Sequence, residues 1–514
     1  MIDGNSNFAL VLDYSYQRHA ACAALFHDGR TLSYADLTAL IDAWAAGLRA
    51  RGVGPGRSVA LWLPNSPAFV AAFFATLRLG ATAAPLGVLL KPREVRQRIA
   101  LARPAALVTT PVLAATLRDA GGGDEAVVGA DAVVVDASGE GFPTATRLPA
   151  TVRAQQDVAV LVFTSGTTGT AKAAEITHGG LAWNARALAA GLALTPADVQ
   201  LAVAPFSHVM GMSCIMNATL ATGGALALME RFDPPRALAL MAETGTTVVT
   251  GAPPMFTALV REARKTTTLP RLRVAHAGGA PVVGELARSV AETFGCLVRE
   301  GYGMSEVGGG ISMAPVHGHA KPQSAGPALP GSALRIVDLA TGATVPAGER
   351  GEVQVKSPSV MRGYLGDEAG TRAVIDLDGW LSTGDIGYLD RDGHLFLVDR
   401  KKELIIRSGY NVYPREVEEV LSACPGVLEA AVVGVASEEH GEEIAALIVP
   451  SRDDLDPDVV KSFARERLAA YKYPRHVFLV KELPKGPTGK VSKRDIDRTA
   501  LIGAGDLTSR AVSS

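Results

Sequence analysis

The sequence has no excess of basic residues. Its 514 residues include 50 Lys and Arg against 52 Asp and Glu, which gives a formal net charge of −2. A dedicated nucleic-acid binder needs surplus positive charge to neutralise phosphates, so this composition excludes that class. Short basic clusters such as residues 400–402 (Arg-Lys-Lys) still suit a small phosphorylated ligand.

Cysteine is also scarce. Cys22, Cys214, Cys296 and Cys424 stand far apart, and the chain contains no C-x-x-C pair or His/Cys group. We therefore expect neither a disulfide framework nor a structural zinc site, and a reducing compartment fits. Residues 1–5 lack the basic start and the apolar core of a signal peptide. We expect a cytoplasmic protein.

Apolar runs long enough to span a bilayer are absent as well. Residues 67–90 carry Arg78 as their only charge, but Gly80, Pro85 and Gly87 interrupt them. The pattern predicts a helix of roughly a dozen residues and a short strand, whereas a spanning helix needs about 20 apolar residues. This segment therefore predicts buried core and no membrane span.

Short apolar strands alternate with helical patterns between residues 31 and 320. Buried strands separated by helices are typical of parallel sheets covered on both faces. Residues 320–398 have the pattern of short strands joined by Gly- and Asp-rich turns, and a helix is predicted at residues 414–422. We therefore predict an α/β fold. Its large N-terminal domain, residues 1–400, contains a small β-barrel subdomain at 320–398, and its small mobile α+β C-terminal domain covers residues 401–514.

The most informative segment is the loop that follows the apolar run at residues 158–162. Residues 164–170 are all hydroxyl-bearing or glycine, and Lys172 comes soon after. Glycines turn backbone N–H groups toward an anion, hydroxyls add donors, and lysine supplies a mobile positive charge. The loop predicts a cradle for the phosphates of a nucleotide triphosphate. A polar surface turn is the alternative, and the Walker pattern is absent because Lys172 lies between Ala171 and Ala173.

Further segments narrow the choice of chemistry. Residues 301–306 come close to a dinucleotide fingerprint, but Glu306 stands where its last glycine should be. They also fail as a nucleophile elbow because Val307 replaces a glycine. A hydride-transfer enzyme and a serine hydrolase therefore lose support. The other segments are residues 205–211, 277–281, 382–385, 399–405 and 484–490.

These segments, in this order, resemble the adenylate-forming superfamily of acyl-CoA synthetases, luciferases and peptide-synthetase adenylation domains. The resemblance runs from about residue 31 to residue 496 and is strongest to the fatty-acyl-CoA ligases. It implies that a carboxylate attacks the α-phosphate of Mg-ATP, giving an acyl-adenylate and pyrophosphate, and that a thiol then displaces AMP. ATP, Mg²⁺ and coenzyme A are the implied cofactors. A small-molecule carboxylic acid is the implied partner, an acyl carrier protein is the alternative acceptor, and the implied assembly is a monomer or a homodimer.

The resemblance also implies which residues hold the nucleotide. Tyr302 would offer an aromatic face to adenine, and Glu306 would bind magnesium through carboxylate oxygens. Asp385 and Arg400 would reach the ribose. The residues matched to the β- and γ-phosphates are Thr164, Ser165, Gly166, Thr167, Thr168, Gly169 and Lys172. The other residues of the two motifs around adenine are Gly278, Gly279, Ala280, Gly301, Gly303, Met304 and Ser305. An ordinary turn or surface charge is the alternative at each position.

Three residues are implied in catalysis. Lys490 matches the lysine that stabilises the negative charge developing on the carboxylate and the α-phosphate during adenylation. His208 resembles the family's histidine at the acyl pocket, where it orients the carboxylate or closes the pocket until ATP is bound. Glu306 acts through its metal ion. A solvated loop cation and an ordinary core histidine are the alternatives for Lys490 and His208.

The second half-reaction implies a rotation of the C-terminal domain, because pyrophosphate and the thiol cannot occupy the same place. Lys402 matches the hinge of that rotation. Residues matched to the pantetheine channel are Ser408, Gly409, Tyr410 and Asn411, and residues matched to a phosphate of coenzyme A are Lys472 and Arg475.

Two positions depart from the family's phosphate loop. Ala171 replaces a proline and Ala173 replaces a glycine, which loosens the loop at one position and adds a Cβ at the other. These changes put ATP turnover in doubt more than nucleotide binding. Small and flexible residues near the predicted pocket, at 210–212 and 308–310, suit a hydrophobic acid: a medium- or long-chain fatty acid, or a polyketide- or terpenoid-like acid.

Three other functions fit the same pattern less well. A stand-alone adenylating enzyme would load a carrier protein, and a luciferase-like monooxygenase would need oxygen. A binding-only pseudoenzyme has least support, because Glu306, Asp385, Arg400 and Lys490 are all present. An acyl-CoA ligase is the leading prediction.

Overall fold

The computed structural model describes residues 5–119, 133–136, 142, 146–165, 171–266, 269–318, 320–408, 410–437, 439–485 and 491–503. The chain divides into two compact units. Unit 1 consists of Met1–Leu334, Gln354–Ser382 and Asp390–Phe396, and unit 2 of Arg335–Val353, Thr383–Leu389 and Leu397–Ser514. The domain boundary after residue 400 and the hinge at Lys402 stay predictions.

Two sheets are built from the strands that precede residue 320. These strands are β1 Ala23–His27, β2 Arg30–Ser33, β3 Ser58–Trp62, β4 Thr82–Pro85, β5 Ala106–Thr109, β6 Val133–Asp136, β7 Val158–Ser165, β8 Ala171–Thr177, β9 Val199–Ala202, β10 Ala225–Leu228, β11 Val248–Gly251, β12 Val274–Gly278, β13 Val298–Met304 and β14 Gly309–Met313. Eight of them form one sheet in the order β14-β13-β12-β11-β9-β10-β1-β2, and six form another in the order β6-β5-β3-β4-β7-β8.

Both sheets are parallel except at their edges. The antiparallel pairs are β13-β14, β1-β2 and β7-β8, and the remaining neighbours run parallel. Their strands are buried: β3, β5, β10, β11 and β12 are inaccessible along their whole length. The predicted α/β fold with parallel sheets is therefore confirmed.

Helices of unit 1 cover the sheets. They are Leu10–His19, Tyr34–Ala50, Pro67–Arg78, Pro92–Ala102, Pro111–Asp119, His178–Gly191, Ala218–Thr222, Pro234–Thr244, Pro253–Ala263, Gly284–Phe294 and Glu368–Arg372, with a π-helix at Met210–Asn217 and a 3₁₀ turn at Ser305–Val307. The π-helix follows His208 directly, and such segments are rare and often lie at functional sites.

The helix and strand within the apolar segment at residues 67–90 are mostly buried, as predicted, whereas Leu89 near its end is 68% exposed. Ser66 caps its helix by accepting a hydrogen bond from the N–H of Phe69, and every residue from Phe69 to Arg78 is buried. The Arg78 guanidinium lies against the carboxylate of Asp13 and donates to the Leu148 carbonyl at 2.9 Å. Across the described part of the chain, no helix is both long and apolar enough to cross a membrane.

Two smaller sheets follow in the sequence. Their strands are β15 Ala333–Val337, β16 Gly351–Lys356, β17 Leu381–Leu389, β18 Leu395–Arg400, β19 Ile405–Arg407, β20 Tyr410–Val412, β21 Val427–Ser437, β22 Gly441–Pro450 and β23 His476–Leu479. The first sheet has the order β15-β16-β17-β18, and it occupies the segment predicted as a small barrel. The second has the order β20-β19-β22-β21, with β23 paired to β22.

Unit 2 has its own apolar core. The helix Pro414–Ser422 begins on a proline and buries Pro414, Val417 and Leu421, whose spacing places them on one face. Its bounds match the predicted helix. Other helical segments of unit 2 are Pro457–Arg467 and Arg498–Gly503, with 3₁₀ turns at Lys401–Glu403 and Lys493–Asp495.

Candidate active site

The two ends of the predicted phosphate loop lie side by side in unit 1. Strands β7 and β8 form an antiparallel hairpin in which Thr164 pairs with Lys172. The register places the lysine directly across from the first threonine of the loop. Four site residues of the predicted loop lie outside the described part of the chain, and so do two other predicted site residues. These six are Gly166, Thr167, Thr168, Gly169, Gly409 and Lys490.

Lys172 has two neighbours in the folded chain. Its Nζ lies 2.8 Å from Oδ2 of Asp367, and it stands 4.7 Å from the centre of the Tyr364 ring. The hydrogen bond from Lys172 is the largest cause that lowers the pKa of Asp367. The ammonium is therefore held in place by a carboxylate and an aromatic face, which a phosphate group could replace.

Tyr364 joins the lysine to the predicted magnesium ligand. Its hydroxyl donates to Oε1 of Glu306 at 2.9 Å. Burial, reinforced by the charge of Glu306, raises the pKa of Tyr364, so its hydroxyl stays protonated and able to donate. The N–H of Met361 donates to the Glu306 carbonyl at 2.7 Å. Lys172, Tyr364 and Glu306 thus form one continuous set of contacts.

A second pair fixes the segment that carries Tyr364. Arg362 donates from Nε and Nη2 to the two carboxylate oxygens of Glu175, at 3.0 and 2.8 Å. The N–H of Leu365 donates to the Ala173 carbonyl at 2.8 Å. Ala173 is fully buried within β8, and its side chain packs with Ala84 and Leu161. Ala173 stands where the family has a glycine, and the extended strand has room for its Cβ.

Sequence reasoning missed Tyr364, Asp367 and Arg362. Nearly two hundred positions separate them from Lys172, since the contact between Arg362 and Glu175 alone spans 187 residues. The one local signal is a tyrosine between Gly363 and Gly366, with Asp367 directly after. Glycines that bracket an aromatic residue and an acid are typical of a turn that presents a side chain, but they name no ligand.

The predicted adenine motifs meet as neighbouring strands. Gly278 at the end of β12 pairs with Gly301 in β13. Both carboxyl ends lie at one edge of the sheet, where ligands of such folds bind. Tyr302 is half-buried and pairs with Ser312 of β14. Met304 ends β13, Ser305 begins the following 3₁₀ turn, and Gly279 has a left-handed φ of 83° before the exposed Ala280.

Two glycines of this motif permit close packing. A Cβ on Gly303 would come 2.1 Å from the carbonyl oxygen of Gly309. A Cβ on Gly301 would come 2.5 Å from Nε2 of His276. Real Cβ atoms do not approach other atoms so closely, so these positions require glycine for packing as well as for any ligand.

His208 lies in a segment that packs against Gly278, a glycine of the predicted adenine motif. Its side chain is exposed, its Nδ1 accepts from the N–H of Met210 at 3.4 Å, and its own N–H donates to the Pro205 carbonyl at 2.9 Å. The methyl group of Met210 would lie 3.1 Å from a Cβ on Gly278. The structure therefore brings the segment of the predicted acyl histidine against the predicted adenine motif.

The three glycines at 308–310 do not leave open space. A Cβ on Gly309 would meet Oδ1 of Asn184 at 2.2 Å, and a Cβ on Gly310 would meet the Leu188 side chain at 2.7 Å. On Gly308 it would meet Ile176 at 2.9 Å. These glycines allow neighbouring side chains to pack closely, so they supply no argument for a long acyl chain.

The predicted ribose pair lies in unit 2. Nε of Arg400 is 3.6 Å from Oδ1 of Asp385. Gly384, with a φ of 72°, donates its N–H to Oε1 of Glu352 at 3.2 Å. Lys401 contacts the other oxygen of Glu352 at 2.7 Å. Asp385 and Arg400 are thus brought together as the sequence analysis expected.

The remaining predicted residues of unit 2 have varied surroundings. Lys402 is exposed in the 3₁₀ turn Lys401–Glu403. Ser408 has a left-handed φ of 50°, and its Oγ lies 2.9 Å from Nδ1 of His440. The Tyr410 ring is 58% exposed and stacks on Tyr471 with centres 4.7 Å apart.

The two cations predicted for a phosphate of coenzyme A have contacts of their own. Nζ of Lys472 is 2.6 Å from Oε1 of Glu416, and Arg475 donates to the Ala470 carbonyl at 3.0 Å. Lys472 would have to leave its carboxylate partner to reach a phosphate.

Glu306 suits a hard cation. A carboxylate offers about four acceptor positions, of which the Tyr364 hydroxyl occupies one. The described residues contain no group of three or more His, Cys, Asp and Glu side chains that could hold a metal ion. Mg²⁺ commonly binds to one or two carboxylates and completes its shell with phosphate oxygens and water. A single carboxylate beside a phosphate site fits that pattern.

Comparison with known proteins gives two family matches. Residues 12–365 match the family of AMP-binding enzymes, and residues 416–490 match the AMP-binding enzyme C-terminal domain. Feruloyl-CoA synthase from Amycolatopsis sp. is 36% identical over 480 residues, covering 92% of this chain and 95% of that protein. 4-Coumarate–CoA ligase 5 from Oryza sativa subsp. japonica is 34% identical over 518 residues, covering 96% and 94%.

Solved structures with a similar fold include two relatives of this chain. ATP-bound MatB from Rhodopseudomonas palustris superposes with a TM-score of 0.88 at 32% identity, covering 98% of this chain and 99% of that one. The o-succinylbenzoate CoA synthetase MenE from Bacillus subtilis, in complex with its acyl-adenylate intermediate, gives 0.84 at 28% identity, covering 95% and 97%.

Proposed function

The chain belongs to the family of AMP-binding enzymes, and from that premise we propose that it is an AMP-forming acyl-CoA ligase. It activates a carboxylic acid with Mg-ATP to an acyl-adenylate, releases pyrophosphate, and transfers the acyl group to coenzyme A with release of AMP. The set of contacts from Lys172 through Tyr364 to Glu306 carries this proposal. In unit 1 the Lys172 ammonium lies against the Tyr364 ring, and the Tyr364 hydroxyl donates to Glu306, which supports a phosphate-binding role for the lysine and a magnesium-binding role for the carboxylate.

In the adenylation step, Lys172 exchanges Asp367 for a nucleotide phosphate. The exchange is feasible because both side chains are partly exposed, so neither charge is trapped away from water. Tyr364 keeps its hydrogen bond to Glu306 and fixes the direction of that carboxylate. Glu306 would hold Mg²⁺, which would supply positive charge to neutralise the phosphates.

Two further residues complete the proposed step. Lys490 supplies an ammonium where charge develops on the attacking carboxylate and the α-phosphate, which stabilises the transition state more than the ground state. His208 orients the acid or closes its pocket.

Other residues of unit 2 serve the ribose and the second half-reaction. Asp385 and Arg400 hold the ribose. A rotation about Lys402 then brings the channel residues Ser408 to Tyr410 into use for the thiol.

The acid is proposed to be aromatic. The relatives at 36% and 34% identity are named for feruloyl and 4-coumaroyl substrates. A fatty acid is the alternative, which the flexible side chains of Met210 and Met212 favour. The occupied space around residues 308–310 removes one reason to expect a long chain.

A panel of acids tests the proposal. Aromatic propenoic acids, benzoic acids and fatty acids of several lengths are each incubated with ATP and Mg²⁺, with or without coenzyme A, and pyrophosphate and thioester are measured separately. We expect pyrophosphate and thioester in equal amounts with coenzyme A for at least one aromatic acid. Parallel reactions replace coenzyme A with a phosphopantetheinylated carrier protein. Thioester formation only on that carrier, or oxygen consumption without thioester, would identify one of the rival functions.

A further inference from the structure

One buried carboxylate in unit 2 contacts a chain neighbour of each residue of the predicted ribose pair. Glu352 lies in β16 and is 7% exposed. Its Oε1 accepts from the N–H of Gly384 at 3.2 Å, and its Oε2 lies 2.7 Å from Nζ of Lys401. Gly384 directly precedes Asp385 in the chain. Lys401 directly follows Arg400. The proposed mechanism does not use this carboxylate.

The two contacts of Glu352 compensate its burial. A buried carboxylate needs an opposite charge and hydrogen-bond donors to offset its lost hydration. Lys401 supplies the charge from a half-exposed position, and the N–H of Gly384 supplies a donor. The carboxylate therefore joins the backbone that precedes Asp385 to the side chain that follows Arg400.

The loop before Asp385 is held in a defined conformation. Gly384 has a left-handed φ of 72°, which favours glycine. Oγ1 of Thr383 accepts from the N–H of Asp385 at 3.1 Å and donates to the Val353 carbonyl at 2.8 Å. Val353 is adjacent to Glu352 in β16, so two consecutive residues of this strand hold the loop. The direction of the Asp385 carboxylate therefore depends on β16.

The contacts between Asp385 and Arg400 close a ring. Nε of Arg400 lies 3.6 Å from Oδ1 of Asp385. Both side chains are partly exposed, and an exposed ion pair contributes little on its own. Because Glu352 holds a neighbour of each residue, it constrains their separation more than this direct contact does.

We propose that Glu352 is a positioning residue for the ribose pair. It directs Asp385 through Gly384, and it holds the backbone of Arg400 through Lys401. Its loss weakens the binding of the ribose hydroxyls without removing a group that touches the nucleotide. Glu352 therefore controls the discrimination between nucleotides with and without ribose hydroxyls. This inference rests on the proposed ligase function and refines the account of its nucleotide site.

The test compares ATP with dideoxy-ATP, which lacks both ribose hydroxyls. Pyrophosphate release with one acid gives kcat/KM for each nucleotide, for the wild type, Glu352→Leu, Lys401→Met and Lys401→Arg. Leucine removes both contacts of Glu352, methionine removes only the opposite charge, and arginine keeps that charge. Lys485→Met is the matched control, because Lys485 forms a partly exposed ion pair of the same length with Glu429. Turnover of dideoxy-ATP reports whether each variant folds and adenylates.

We expect the wild type to prefer ATP by about tenfold or more, because a site that bonds hydroxyl groups rejects an analogue without them. Glu352→Leu should bring the ratio close to one through loss on ATP. Lys401→Met should lower the ratio by a smaller factor, and Lys401→Arg should retain most of it. Lys485→Met should keep the wild-type ratio.

Equal losses on both nucleotides would show a merely structural role for Glu352 and overturn the inference. An unchanged ratio in Glu352→Leu, or a wild type without preference for ATP, does the same and leaves the ligase function intact. If Glu352→Leu does not fold, an unchanged ratio in Lys401→Met overturns the inference alone. Absence of pyrophosphate from the wild type with ATP and every acid of the panel overturns both proposals.

Discussion

The two sides of the candidate site in unit 1, one at Lys172 and one at the strands β12 and β13, differ in whether their polar side chains have hydrogen-bond or ion-pair partners. On the phosphate side, Lys172 already contacts Asp367 and Tyr364, and Tyr364 bonds Glu306. On the side formed by β12 and β13, His276 is buried and has no hydrogen-bond partner among the described residues. Charged groups are too costly to leave unpaired in a partly buried place, so the chain pairs them before a ligand binds. A neutral imidazole costs less to leave without a hydrogen bond than a buried charge does.

The largest loss of activity is expected from substitution of Lys490. Lys490→Ala is expected to lower pyrophosphate release by about 100-fold or more, since it removes a charge that acts on the transition state. Thioester formation from a supplied acyl-adenylate should remain. Lys485→Ala is the matched control, because this nearby lysine forms an exposed ion pair with Glu429 and should affect neither half-reaction. Equal loss of both half-reactions in Lys490→Ala would show that the lysine has no special part in adenylation.

The phosphate side should depend on its carboxylate more than on the tyrosine that positions it. Glu306→Gln is expected to lower kcat for pyrophosphate release by about 100-fold, because an amide binds Mg²⁺ poorly. Tyr364→Phe keeps the carboxylate and should cost about tenfold, the effect of one hydrogen bond to a charged group. Both variants should need a higher Mg²⁺ concentration for half-maximal activity, which a titration with Mg²⁺ measures. If Tyr364→Phe is as damaging as Glu306→Gln, or has no effect, the proposed order of roles is wrong.

On the side formed by β12 and β13, close packing should affect the stability of the protein more than charge does. Gly301→Ala places a Cβ 2.5 Å from Nε2 of His276, and such overpacking destabilises by about 1–3 kcal/mol. The double variant Gly301→Ala/His276→Ala should recover much of that loss, because it removes the clashing ring. Denaturant unfolding of the four proteins measures the coupling. Additive losses would mean that the two residues do not contact as described.

A smaller effect should appear in the pH dependence of stability. Burial lowers the pKa of His276 to about 4 from an ordinary 6.5, so the unfolded chain binds more protons between these values. Stability therefore falls as pH falls through that window, by about 1 kcal/mol between pH 6 and pH 5 for one such histidine. His276→Leu should remove this share of the slope. His178, whose pKa burial also lowers to about 4, contributes equally to both proteins, so their difference isolates His276. Parallel pH profiles would contradict the buried, neutral imidazole.

Sequence patterns predicted the elements better than the contacts between them. The helices Pro67–Arg78 and Pro414–Ser422 carry clear start signals and apolar spacing, and the buried strands indicated parallel sheets. The family resemblance implied that Asp385 and Arg400 reach the same sugar, and the two side chains lie 3.6 Å apart. These features follow from local patterns or from a shared architecture.

The contacts that decide the site's chemistry have no local pattern. Tyr364 reaches Glu306 across 58 positions of sequence, and Arg362 reaches Glu175 across 187. His276 acquires its position from strand register, and which of the described side chains surround it follows from the neighbouring strands. The small residues at 308–310 were expected to suit a hydrophobic acid, whereas in the folded chain neighbouring side chains pack closely against these glycines.

The central claim is that the acid is activated as an adenylate. The most direct measurement supplies an acid whose carboxylate oxygens carry a heavy isotope and examines the nucleotide and phosphate products by mass spectrometry. If the acid is activated as an adenylate, AMP gains one labelled oxygen and pyrophosphate gains none. Labelled inorganic phosphate formed together with ADP, or thioester formation without label in AMP, would contradict it.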